Sequence, residues 1–214
     1  MANRVSFVVD GFNLYHSLKY VSKRKVNPLP CRWLDLSALC ASTLQVIGGG
    51  ATLQSVYYFS ALAAYREATN PGVMARHNTY ADAIRSTGVY AEFARFQKKD
   101  VKCPKCTQDF VKHEEKQTDV AVGIRVLETA LSAAADTIVI VSADSDLIPA
   151  VQRTRQLFPA LQLYAAFPFG VSSKHLRRVV HRAFSLSDTE YQKYQLPDPV
   201  VLPSGRKLAK PTAW

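Results

Sequence analysis

Two short, almost wholly apolar runs that each break off at aspartate constrain this chain more than any other feature. Residues 5–9 read Val-Ser-Phe-Val-Val before Asp10-Gly11, and residues 137–141 read Thr-Ile-Val-Ile-Val before Ser142-Ala143-Asp144-Ser145-Asp146. Continuous β-branched runs of this length suit strands buried on both faces, which occur where helices cover a parallel sheet. The chain is therefore expected to be an α/β protein with carboxylates at the ends of two central strands.

The remaining pattern agrees with alternating strands and helices. Residues 13–20 can form a helical turn or two, followed by a basic loop at Lys23-Arg24-Lys25 with Pro28 and Pro30. A helix over 34–47 offers Leu36, Leu39, Leu44 and Ile47 as one apolar face and stops at Gly48-Gly49-Gly50. A strand at 55–61, a helix at 73–86 and a strand at 89–98 follow, the last leading into an irregular Cys-containing insert over 99–114. Residues 118–134 read as an amphipathic helix, with Val120, Ile124, Leu127 and Leu131 as its buried stripe. After the 137–141 strand come a helix over 147–157, a strand over 162–167 and a basic helix over 172–181. Alternation of this kind predicts a three-layer α/β/α domain with a mainly parallel central sheet over residues 1–190. The Pro-containing stretch 191–214 reads as a tail, loosely held from about 196 onward.

The 214-residue chain is long enough for a sizeable core, and its formal net charge is +10. Such a balance attracts polyanions, nucleic acid being the commonest. The 5–9 run is too short for a signal-peptide core, and no apolar stretch reaches membrane-spanning length. The expectation is a cytoplasmic protein with no membrane partner, whose four cysteines stay reduced. A homodimer is compatible with the sequence.

In an open parallel sheet, ligands bind outside the carboxyl ends of the strands. Asp10 and the Asp144/Asp146 pair are both placed there, and Asp119 can join them from the start of its helix. Crowded carboxylates either hold protons or share a cation, and hard oxygen ligands suit Mg²⁺ or Mn²⁺. Such an ion can orient and polarise a phosphodiester. Singly, each aspartate also has an ordinary reading as a turn or helix-cap residue. Their joint placement is what points to a metal site.

Val8-Val9-Asp10-Gly11-Phe12-Asn13-Leu14 resembles the opening of the NYN family, a branch of the PIN-like nucleases. Glu115-Lys116-Gln117-Thr118-Asp119-Val120 is similar to the family's central lysine-to-aspartate motif, and Val141-Ser142-Ala143-Asp144-Ser145-Asp146-Leu147 to its paired-aspartate motif. The resemblance implies a PIN-like fold and a metal-dependent endoribonuclease acting on single-stranded or structured RNA. It implies Asp10, Asp119, Asp144 and Asp146 as metal-binding acids, Asn13 as a polar neighbour and Ser142 as an orienting hydroxyl; Lys116, close to Asp119 in the chain, is a candidate phosphate contact. The alternatives are an RNA-binding adaptor whose acids hold metal structurally and a phosphohydrolase of small metabolites.

Outside this constellation, Cys103-Pro104-Lys105-Cys106 has the spacing of half a zinc site, with His113 as a candidate third ligand. Lys174, Arg177, Arg178 and Arg182 gather along the 172–181 segment as a candidate RNA-tracking surface. Tyr15, Tyr65 and Phe169 are candidates for stacking on unpaired bases, against a default of core packing.

Overall fold

The computed structural model describes residues 2–214. In chain order the elements are β1 (Asn3–Asp10), α1 (Gly11–Lys23), α2 (Leu36–Ser42), α3 (Leu44–Ile47), β2 (Ala51–Leu62), α4 (Val73–Ser86), β3 (Tyr90–Lys102) and β4 (Asp109–Glu115). There follow α5 (Thr118–Leu131), β5 (Thr137–Val141), α6 (Ile148–Leu157), β6 (Gln162–Phe167), α7 (Lys174–Val179), β7 (Arg182–Ser185), α8 (Asp188–Lys193), β8 (Val200–Val201) and β9 (Lys207–Leu208).

Seven strands form the central sheet in the order β4-β3-β2-β1-β5-β6-β7. All neighbours are parallel except the β3–β4 pair. The chain builds outward from β1 through β2 and β3, then returns to lay β5, β6 and β7 on the other flank. Strand order thus reverses between β1 and β5, which is where open α/β sheets hold their ligands. The pleat divides the core: Val5, Phe7 and Val9 pack with Leu14, Leu18, Leu36 and Tyr191 on one face. On the other, Val8, Ile138 and Ile140 pack with Val122, Val126, Val151 and Leu176. This is the three-layer, PIN-like α/β arrangement that the alternation of elements predicts.

Several local expectations give way to packing. The expected 34–47 helix is broken into α2 and α3 at Thr43, whose buried hydroxyl donates to the Cys40 carbonyl at 2.8 Å. The expected irregular insert over 99–114 is the outer half of an antiparallel hairpin, with β3 running to Lys102 and β4 returning from Asp109. Phe110 and Val111 in it are exposed, so no single face carried an alternating signal. In α5 the stripe is reversed: Val120, Ile124 and Leu131 are 66%, 52% and 65% exposed, while Val122, Val126 and Ala130 are buried. The helix carries two apolar stripes, and packing selects the one beside Gly123, where a Cβ would stand 3.2 Å from Ala150. The basic 172–181 segment is helical only over the six residues of α7.

The expected loose tail is docked. Leu196, Val200 and Leu208 are buried in the core, and the Trp33 indole donates to the Pro197 carbonyl at 3.0 Å. Trp214 closes the segment against the rings of Trp33 and Tyr80. Its few apolar side chains suffice because each lands on the face of the sheet covered by α1, α2 and α4.

Gly11 opens α1 where the helix leaves the sheet. A Cβ there would stand 2.5 Å from the Tyr58 ring and 2.7 Å from the Phe59 carbonyl oxygen. Backbone cannot yield cheaply, so Gly11→Ala is expected to lower unfolding free energy by about 1–3 kcal/mol, measured by urea denaturation. Unchanged stability would show that α1 can move away from β2 without cost.

Candidate metal centre

Asp10 ends β1 and is 3% exposed. Burying an unpartnered carboxylate is costly, and here it is offset by hydrogen bonds. One oxygen accepts from the amides of Phe12 and Asn13, both at 3.0 Å, so the residue caps α1. The other accepts from the Ser142 hydroxyl at 2.8 Å. The same hydroxyl oxygen accepts from the Asp144 amide at 3.0 Å, and Asn13 Oδ1 accepts from the Ala143 amide at 3.2 Å. Two bonds therefore join the end of β1 and the start of α1 to the loop after β5, and a third ties Asp144 to that junction through Ser142.

Asp144 caps the turn Ser145–Leu147, its Oδ1 accepting from the Asp146 amide at 2.9 Å. Asp119 lies in the first turn of α5, and Gln117 before it takes a left-handed conformation with φ of +82°. Asp10, Asp119 and Asp144 each present an oxygen, and these atoms lie within 4.8 Å of one another. Among the described residues this is the sole grouping of three such side chains close enough to share an ion. The acids feel one another: burial first, then the charges of Asp10 and Asp144, push the Asp119 carboxyl up to about 6. Burial also raises Asp10, against the hydrogen bonds from Asn13 and Ser142.

Asp146 stands apart. It is exposed and outside the three-acid group, though its charge contributes to the rise at Asp119. It is not the cap of the following helical turn, a part played by Asp144. Glu115, quoted in the central motif without a role, accepts from the amide and hydroxyl of Thr118 and fixes the entry to α5. Only the fold could reveal that, since the strand-to-helix junction fell inside an expected loop.

The other sequence candidates scatter. Lys116 pairs with Glu114 at 2.9 Å rather than facing the acids alone. Lys174 opens α7 on the carboxyl side of the sheet, with Arg178 exposed a turn further on. Arg177 lies over the Phe167 ring, 5.1 Å from its centroid. Arg182 is at the opposite, amino edge, where it donates to the Val46 carbonyl at 2.6 Å, so the four cations do not form one surface. Cys103 and Cys106 lie at the hairpin tip, whereas His113 stacks on Tyr65 with centroids 4.0 Å apart. Hairpin pairing sets His113 opposite Lys98, four residues from the tip pair Lys102–Asp109, which removes it as their third ligand. Phe169 packs in the core, its amide bonded to the Tyr191 hydroxyl.

Beside the acids, a groove of about 390 Å³ runs from the first turns of α1 past the end of β2 to the β3–β4 hairpin. Tyr15 and Tyr65 line it, as do Phe12, Phe96 and several cationic side chains that sequence reading did not connect. The lining comes from several elements distant in the chain, and nothing in its spacing announces a common wall.

A seven-stranded, mainly parallel sheet thus carries an acidic cluster at its order reversal, and the family match gives this arrangement a nuclease-type fold. The chain belongs to the NYN domain family, whose sequence model matches residues 4–187. The fold is also that of a protein of unknown function from Vibrio parahaemolyticus RIMD 2210633, seen in a crystal structure. That chain is 14% identical, with 87% of this chain and 94% of that one covered and a TM-score of 0.57. No curated protein matches. No helix among the described residues is long and apolar enough to cross a membrane.

The raised Asp119 carboxyl gives a pH signature. Because its folded value of about 6 exceeds the usual 3.8, the stability it contributes is present at low pH and lost as pH rises through 6. In metal-free protein, Asp119→Asn is expected to stabilise by about 1 kcal/mol at pH 8, after allowance for solvent screening. The gain should vanish towards pH 4 in denaturant titrations, and a pH-independent gain contradicts the electrostatic account.

Proposed function

We propose that the chain is a metal-dependent ribonuclease that hydrolyses RNA phosphodiester bonds at the Asp10–Asp119–Asp144 cluster. The observation that carries this reading is the convergence of three carboxylate oxygens within 4.8 Å at the order reversal of the sheet. An all-carboxylate donor set fits a hard cation, Mg²⁺ or Mn²⁺. Such an ion, when bound, offsets the repulsion among the acids, polarises the phosphodiester and lowers the pKa of water.

The chain's own residues hold this arrangement. Asp10, fixed by Ser142 and two helix amides, and Asp144, fixed through the Ser142 hydroxyl, are the metal ligands. Asp119 completes the shell or positions the attacking water. Asp146, exposed at the rim, joins as an outer acid. Asn13 keeps the two strand ends in register through the Ala143 amide. Lys174 and Arg178, together with the net charge of +10, draw the polyanion towards the carboxyl edge.

Labelled RNA should be cut in Mn²⁺ or Mg²⁺ and left intact in EDTA. Asp10→Asn and Asp144→Asn should each lower the rate roughly 100-fold or more, as loss of groups that hold a metal in place does. Divalent cations should raise the melting temperature of the parent protein and not that of Asp144→Asn. Undiminished cleavage in either variant removes the assigned site, and tight RNA binding without cleavage favours an adaptor.

A further inference from the structure

The groove beside the acids is lined by aromatic and cationic side chains. Its wall is aromatic: Tyr65 stacks on His113 at 4.0 Å with an interplanar angle of 8°, and meets Phe96 at 5.0 Å. Phe12 continues the wall, 6.2 Å from Phe96 and 4.6 Å from His16. Phe12 is 37% and Tyr65 41% exposed, so both residues remain accessible from solvent although one face of Tyr65 is covered by His113. Lys19, Arg66 and Arg76 line the same groove, and no aspartate or glutamate does. Among the described residues neither Lys19 nor Arg66 pairs with a carboxylate, although the chain forms nine ion pairs elsewhere.

Open π-faces with unneutralised cations and no acid match a planar, anionic ligand. A volume of about 390 Å³ is within the range that holds one small ligand. Bases inside a duplex already stack on their neighbours, so an unpaired nucleotide is the form that can offer its face to Tyr65 or Phe96. The wall also starts two residues from the metal centre, since Phe12 follows Asp10 into α1.

We propose that this groove is a subsite for one unpaired nucleotide of the RNA strand, its base stacked in the aromatic wall and its phosphate held by Arg66 and Lys19. The proposal rests on the nuclease reading for its ligand and makes that reading more specific: the enzyme selects single strands and cuts beside the nucleotide it holds. Tyr65 and Arg66 bind rather than react, so their loss weakens binding of the strand in the absence of metal.

The test is binding in EDTA, where no cleavage occurs, of a short fluorescent single-stranded RNA to the whole protein. The same strand carrying abasic positions and the same sequence as a duplex serve as comparisons. The intact strand should bind best, Tyr65→Ala should weaken it about tenfold, and Tyr65→Trp should retain it. Arg66→Ala should weaken intact and abasic strands alike. Equal affinity for intact and abasic strands, or no effect of Tyr65→Ala, overturns the subsite. Base-dependent binding without Mn²⁺-dependent cleavage keeps the subsite and removes the nuclease reading. Equal cleavage of intact and abasic strands in Mn²⁺ does the reverse.

Discussion

The buried carboxylate of Asp10 is the contact on which the rest of the site depends. A charge at 3% exposure is tolerable only if its oxygens are partnered, and the partners come from two directions. The first turn of α1 supplies two amides, and the loop after β5 supplies a hydroxyl. Ser142 then passes the constraint on, because its oxygen also receives the Asp144 amide. One side chain thereby ties a strand end, a helix start and a neighbouring strand end into a single unit. Breaking any bond in that unit leaves a buried polar group unpaired, so the acids are held in place by the cost of letting them go.

The distribution of charge follows a division of labour. The protein is strongly basic overall, yet at the order reversal of its sheet it concentrates carboxylates, and burial together with their mutual repulsion raises Asp119 to about 6. The groove next to them has cations and aromatic rings and no acid. On the proposed ribonuclease reading, the acids stand where a cation is needed and the groove's cations where a phosphate would lie, which would let a polyanion approach a negatively charged centre.

Legibility in the sequence varied with how much of an element's signal is local. β1, β5, β6 and α4 were readable to within a few residues, because burial on both faces marks the strands and Pro71 and Gly88 bound the helix. Asp10 and Asp144 were readable for the same reason, being the polar residues that end those strands. α5 misled, since it has two apolar stripes and only the close approach at Gly123 selects between them. The hairpin over 99–114 and the docked C-terminal segment were unreadable, because their strands and turns are stabilised by partners distant in the chain. His113 illustrates the limit: ten residues from Cys103 in sequence, it is turned by hairpin register towards Tyr65 instead.

The sequence by itself determined that this chain is an α/β protein with aspartates at the ends of buried parallel strands, because burial and strand termination are encoded in runs of a few residues. Its motifs also carried membership of the NYN family. Only the tertiary structure decided that β1 and β5 are neighbours, that Asp119 turns inward while Asp146 stays at the rim, and that elements distant in the chain share one aromatic and cationic groove. Those facts depend on contacts between residues far apart in the chain, and no local periodicity records which distant surfaces will meet.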